Sequence, residues 1–208
     1  MTGQSERPVI QGIIFDFGGV IHSFDYGDFF RRFRSRTDRT FEEMVSLVAG
    51  SGLPGGYESG EISSGEFFRE IASLCGLRVT EEKFLSAFVA IFTPIDPTIR
   101  LIRALSRSYR LGLLSNTNEW HFEHHIRGLE FFPLFDAVTL SYQVGTMKPA
   151  EAIYRESLKS IGLPPEECVF IDDREENVEG ARRMNIHAIH YTGHEGLVSS
   201  LAQRGVVA

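Results

Sequence analysis

Five short apolar runs constrain this chain more than any other feature: Val9–Phe15, Arg110–Leu114, Ala137–Leu140, Val169–Ile171 and Ala188–His190. Each is bounded by turn or polar residues, as buried parallel strands are. Helical stretches separate the last four. Asp96-Pro97 supplies an N-cap and a first-turn proline before Ile99, Ile102 and Leu105. Pro149 opens a second helix with Tyr154, Leu158 and Ile161 on one face, and Glu175 to Met184 forms a third, closed by Asn185. This alternation implies an α/β fold with a parallel sheet covered on both faces.

The interval between the first two strands breaks the rhythm. About 70 residues, from Phe24 to Thr93, carry helix signals and no convincing strand. Thr40 with Glu43, and Ser63 with Glu66, are capping-box pairs. Phe29, Phe30 and Phe33 give one apolar face, and Phe84, Phe88 and Ile91 another. Ser51–Gly60 is a glycine-rich loop. The reading is a helical insertion hinged at Ser23–Asp28 and Thr93–Pro97.

Open parallel sheets bind ligands beyond the carboxyl ends of their strands. The residues there are Asp16 to Val20, Ser115 to Asn118, Gly145 to Pro149, and Asp172-Asp173 followed by Asn177. A carboxylate, a hydroxyl, a lysine and an acidic pair thus converge on one sheet edge. Adjacent carboxylates repel, and a bound cation relieves that repulsion.

Composition narrows the classes of partner. With 208 residues the chain makes one domain, or one domain with a modest insertion. Against 21 basic residues stand 28 acidic ones, a net charge of −7 with no basic block, which argues against nucleic acid. No apolar run approaches the roughly 18 residues of a membrane helix, and no apolar signal segment is visible near the N-terminus. Cys75 and Cys168 lie far apart without metal-ligand spacing, as expected of a reduced, cytoplasmic protein.

Four segments resemble the motifs of the haloacid dehalogenase-like hydrolases: FDFGGV at Phe15–Val20, LLSNT at Leu113–Thr117, GTMKP at Gly145–Pro149 and FIDDREENVEGA at Phe170–Ala181. The resemblance implies a Rossmann-like three-layer core with a five-stranded sheet in the order 3-2-1-4-5. It further implies a core of residues 1–23 and 94–208, with 24–93 as the helical C1 cap of subfamily IA. GYESGEIS (Gly56–Ser63) resembles caps of bacterial glucose-1-phosphate phosphatase-type members. By the same resemblance the protein is a Mg²⁺-dependent phosphatase acting on a small phosphorylated metabolite, as a monomer or homodimer. Asp16 would attack phosphorus, and Ser115 and the Asn116 amide would hold the phosphate. Lys148 would neutralise charge. Mg²⁺ would sit among Asp16, the Gly18 carbonyl and Asp173, with Asp172 adjacent.

One departure from the family pattern matters. Most family phosphatases carry an acid/base aspartate two residues after the nucleophile, and here that position is Gly18. General acid–base catalysis contributes about 10²–10⁴ in rate, so a leaving group needing little protonation, such as an anomeric sugar phosphate, is favoured. The glucose-1-phosphate phosphatase-type members share this glycine. A 2-haloacid dehalogenase needs no such aspartate and is the alternative enzyme. A binding or regulatory protein on the same scaffold is the alternative class. Seven other residues are weighed with these: the His121, His124 and His125 spacing reads as a partly exposed helix face, His22 as hinge packing, Trp120 as an edge residue, and Tyr57 with Glu58 as substrate contacts or loop anchors.

Overall fold

The computed structural model describes residues 9–207. The five apolar runs form β1 (Gly12–Phe15), β4 (Arg110–Ser115), β5 (Ala137–Leu140), β6 (Cys168–Asp172) and β7 (His187–His190). They make one parallel sheet in the order β5-β4-β1-β6-β7, the expected order when the five are counted along the chain. Strand β1 lies in the centre.

Side-chain alternation along the strands creates the layers. Ile13, Phe15, Val169 and Ile171 point to one face, where they meet Leu101, Ile102 and Leu105 of α6 (Asp96–Leu105) and Leu197 and Leu201 of α11 (His194–Ala202). Ile14 and Phe170 point to the other, against Ile153 and Tyr154 of α9 (Glu151–Ile161) and Val178 and Ala181 of α10 (Glu175–Arg183). Two helix predictions shift at their starts. Ile95, not Asp96, is the N-cap of α6, and α9 begins after Ala150 rather than at Pro149. Asn185 closes α10 with a positive φ of 59°.

Five helices follow β1: α1 (Tyr26–Arg32), α2 (Phe41–Gly50), α3 (Leu53–Glu58), α4 (Ser64–Leu74) and α5 (Glu81–Val89). Both capping boxes form, at Thr40–Glu43 and Ser63–Glu66. Their apolar faces meet in a cluster of Phe29, Phe33, Met44, Phe67, Phe84 and Phe88, joined by Trp120 of α7 (Glu119–His124). The predicted loop at Ser51–Gly60 is largely helix α3. Gly52 adopts φ 74° at its N-cap, Pro54 fits its first turn, and Tyr57 is buried.

The hinges also differ from expectation. Their segments pair as an antiparallel ribbon, β2 (His22–Phe24) with β3 (Phe92–Pro94). Pairing between strands about 70 residues apart leaves no local signal in either. No described helix is long and apolar enough to cross a membrane.

Candidate active site

A cavity of about 140 Å³ opens at the carboxyl end of the central strand. Asp16, Gly18, Ser115, Asn116, Lys148, Asp173 and Asn177 line it from the core. Asp16 directly follows β1 and Ser115 ends β4, and with Phe15 paired to Leu113 the parallel register brings both to the same sheet edge. Every predicted site residue except Asp172 reaches this cavity.

Lys148 organises the carboxylates. Its ammonium lies 2.7 Å from Asp16 Oδ1 and 2.7 Å from Asp172 Oδ2, and donates to the Leu114 carbonyl at 3.1 Å. Its three donors are therefore satisfied. Burial pulls the Lys148 ammonium towards losing its proton, but the two carboxylates outweigh that and raise its pKa. Burial pushes Asp16 up to about 7, with Lys148 pulling down and Asp172 pushing up.

Asp172 and Asp173 face different ways. Asp172 is fully buried. Besides Lys148 it accepts from the Arg174 amide at 2.9 Å and from Asn177 Nδ2 at 3.0 Å. Asp173 faces the cavity, and burial, then Asp172, raises its pKa. Gly19 makes room for it: at φ 74°, a Cβ there would stand 2.2 Å from Asp173 Oδ2. Carboxylate oxygens of Asp16, Asp172 and Asp173 lie within 4.8 Å of one another. A set of hard oxygen donors with a neighbouring backbone carbonyl at Gly18 suits Mg²⁺. Because Asp172 is already engaged by Lys148 and Asn177, Asp16 and Asp173 are the carboxylates facing such an ion.

Asn116 does more than the sequence suggested. Its side chain clamps the Lys148 backbone, accepting from the amide at 2.8 Å and donating to the carbonyl at 3.0 Å. Ser115 is buried, and among the described residues its Oγ hydrogen-bonds only to the Asn116 carbonyl, at 3.5 Å, leaving the hydroxyl open to a ligand.

The helical segment contributes Tyr26, Glu58 and Phe24 to the same cavity, and β3 contributes Phe92. Arg174 and His121 line it too. No spacing rule ties these residues to the sheet. His121 is not on an exposed face: it is buried and stacked on Phe88 at 4.2 Å. Its Nε2 donates to the Phe88 carbonyl (3.1 Å) and its Nδ1 accepts from Asn118 Nδ2 (3.0 Å). His22 packs in the hinge as expected, stacked on Phe17 and 3.2 Å from His125. Among the described residues, the histidines form no metal-holding group.

A doubly wound parallel sheet with a lysine-bridged acidic site beyond the carboxyl end of its central strand is a Rossmann-like α/β fold with its site where such sheets bind ligands. The family model of the haloacid dehalogenase-like hydrolases matches residues 5–185, and the chain belongs to that family. It is 30% identical over 177 residues to a D-ribitol-5-phosphate phosphatase of Bacteroides thetaiotaomicron, covering 82% of this chain and 86% of the relative. It resembles the structure of a predicted hydrolase of this family from Porphyromonas gingivalis at 30% identity and TM-score 0.78, covering 94% and 97% of the two chains. A family enzyme of Bacteroides thetaiotaomicron, solved with magnesium and inorganic phosphate, matches at 26% identity and TM-score 0.76, covering 86% and 93%.

Proposed function

We propose that the protein is a Mg²⁺-dependent phosphatase for a small phosphorylated metabolite, a sugar or polyol phosphate, acting through an aspartyl-phosphate on Asp16. The observation that carries this reading is the buried Asp16–Lys148–Asp172 triad beside Asp173 and the free Ser115 hydroxyl. Dehalogenation through Asp16 needs no cation, and it leaves Asp173, the second carboxylate facing the cavity, without a role.

In this reading Asp16 forms the bond to phosphorus as the ester P–O bond breaks, and water later attacks the aspartyl-phosphate. Ser115 and the Asn116 amide hold phosphoryl oxygens. Lys148 fixes Asp16 and balances the incoming negative charge, the positioning and electrostatic work that phosphoryl transfer mainly requires. Asp16, Asp173 and the Gly18 carbonyl would hold Mg²⁺. When bound, Mg²⁺ supplies positive charge against the phosphoryl oxygens. The helical unit 24–93 acts as a cap that excludes water while the site is loaded. A sugar or polyol phosphate is supported by the D-ribitol-5-phosphate phosphatase relative and, for an anomeric ester, by Gly18.

Phosphate release from sugar, polyol and aryl phosphates with Mg²⁺ tests the reading, with Asp16→Asn as the blank. The expected result is release that falls at least about 10⁴-fold in the variant. Halide release from 2-haloacids, or no phosphate above the blank, overturns it.

A further inference from the structure

We propose that Glu58 of the helical cap supplies the acid and base that Gly18 lacks. This rests on the phosphatase reading above and adds a residue to it.

Position 18 cannot take back its side chain as the site stands. A Cβ there would lie 2.8 Å from Phe24 Cε1, so an aromatic ring fills the space where an aspartate would begin. The proton must come from another group on the cavity wall. Asp16 is the nucleophile, Asp173 is the carboxylate left to face the cation, and Lys148 is held between Asp16 and Asp172. His121 has both ring nitrogens engaged and is pushed down to about 3 by burial, so it carries no proton to give near neutrality. Arg174 never releases its proton, and burial holds the Tyr26 hydroxyl far above its usual range. Glu58 remains. Among the described residues its carboxylate makes no hydrogen bond and no ion pair, although it lines the same cavity as Asp16.

Its backbone is fixed from the core side. Ser141, at the start of α8 (Ser141–Val144), donates from Oγ to the Glu58 carbonyl at 2.5 Å. Two residues on, Gly60 adopts φ 75°, and a Cβ there would stand 2.2 Å from the Tyr142 carbonyl. The segment is pressed against the core where only glycine fits. One residue before Glu58, the Tyr57 hydroxyl accepts from the Trp120 amide at 3.1 Å. A carboxylate is thus held on the wall of the cavity that Asp16 lines, by three contacts that do not use it. Burial keeps that carboxyl protonated up to about 7, with Arg174 and Lys148 pulling the other way.

The chemistry balances. Asp16 bonds to phosphorus, the P–O bond to the alcohol breaks, and the departing oxygen takes the Glu58 proton. Water then attacks the aspartyl-phosphate and gives its proton to Glu58. Asp16 is regenerated, phosphate leaves, and Glu58 ends as it began.

Glu58→Gln tests this with two leaving groups. For a polyol or alkyl phosphate, whose ordinary alcohol must be protonated, kcat/KM should fall about 10²–10⁴-fold. For 4-nitrophenyl phosphate, whose leaving group needs no proton, kcat/KM should fall less than about tenfold. Its kcat should still drop, because water attack keeps its need for a base, and a burst of nitrophenolate should precede slow turnover. Equal losses on both esters, a rise in KM alone, or no loss overturns the assignment. If the glutamine variant does not fold, Glu58→Ala with added formate serves instead: rescue supports the role and its absence overturns it. Wild-type protein that releases no phosphate overturns the phosphatase reading itself, whereas active wild type with an unimpaired variant overturns only Glu58.

Discussion

The sheet half and the helical half both bury large apolar side chains, but they hold them differently. In the sheet half, β1 is buried along its whole length, and alternate residues feed two separate clusters. Register across strands distant in sequence then fixes where each strand ends, and Asn116, just past the end of β4, clamps the Lys148 backbone where its ammonium lies 2.7 Å from Asp16. In the helical half an aromatic cluster does the packing. Phe84 sits edge-on to Phe29 at 5.0 Å and stacks with Phe88 at 5.8 Å. Local caps set its helix ends. Strand ends therefore position chemistry, while the helical packing carries loops whose side chains decide what the chemistry meets.

The largest expected effect breaks the sheet half. Lys148→Met leaves Asp16 and Asp172 buried without their shared cation, and removing one partner of a buried ion pair costs about 3–5 kcal/mol. Urea unfolding should show that loss, and phosphate release should fall to background. Retained stability would mean the two carboxylates protonate at little cost.

A smaller effect lies at the seam between the halves. His22 is pushed down to about 4 and His121 to about 3, each first by burial. Both rings are neutral in the folded protein, while the unfolded chain takes up protons below about 6.5. Their contribution is therefore complete above 6.5 and is lost as pH falls towards 4. Between pH 6 and 5 the loss should reach up to about 1.4 kcal/mol for each ring. A His121→Asn variant, measured by urea unfolding at both pH values, should show a shallower decline. An unchanged slope would place the titration elsewhere.

The smallest effect separates the halves most cleanly. Ser63→Ala removes one capping box and should cost about 1 kcal/mol. Amide exchange should rise in α4 while β1 and β4 stay protected. Equal loosening of the strands would show the two halves to unfold as one unit.

Much of this was legible in the sequence. The apolar runs marked all five strands because buried parallel strands need apolar side chains on both faces. Thr40–Glu43 and Ser63–Glu66 marked helix starts because a cap is a contact within four residues. The β2–β3 ribbon was not legible, because its two strands pair across the whole helical insertion. Helix α3 was hidden by Gly55 and Gly56, whose poor propensity is overridden when Tyr57 is buried between Phe67 and Trp120. His121 read as exposed because helical spacing says nothing about a cap folding over it.

The sequence by itself determined the five strands of the parallel sheet, the two capping boxes and which residue types stand at the strand ends, since all three follow from local pattern and short-range geometry. Only the tertiary structure decided how those groups are used. It turned Asp172 inward to Lys148 and Asp173 outward to the cavity, set Asn116 on the Lys148 backbone, filled the space beside Gly18 with Phe24, and brought Glu58 to the wall of the cavity that Asp16 lines. The physical reason is that a side chain's direction depends on packing partners far away along the chain, and no local rule encodes them.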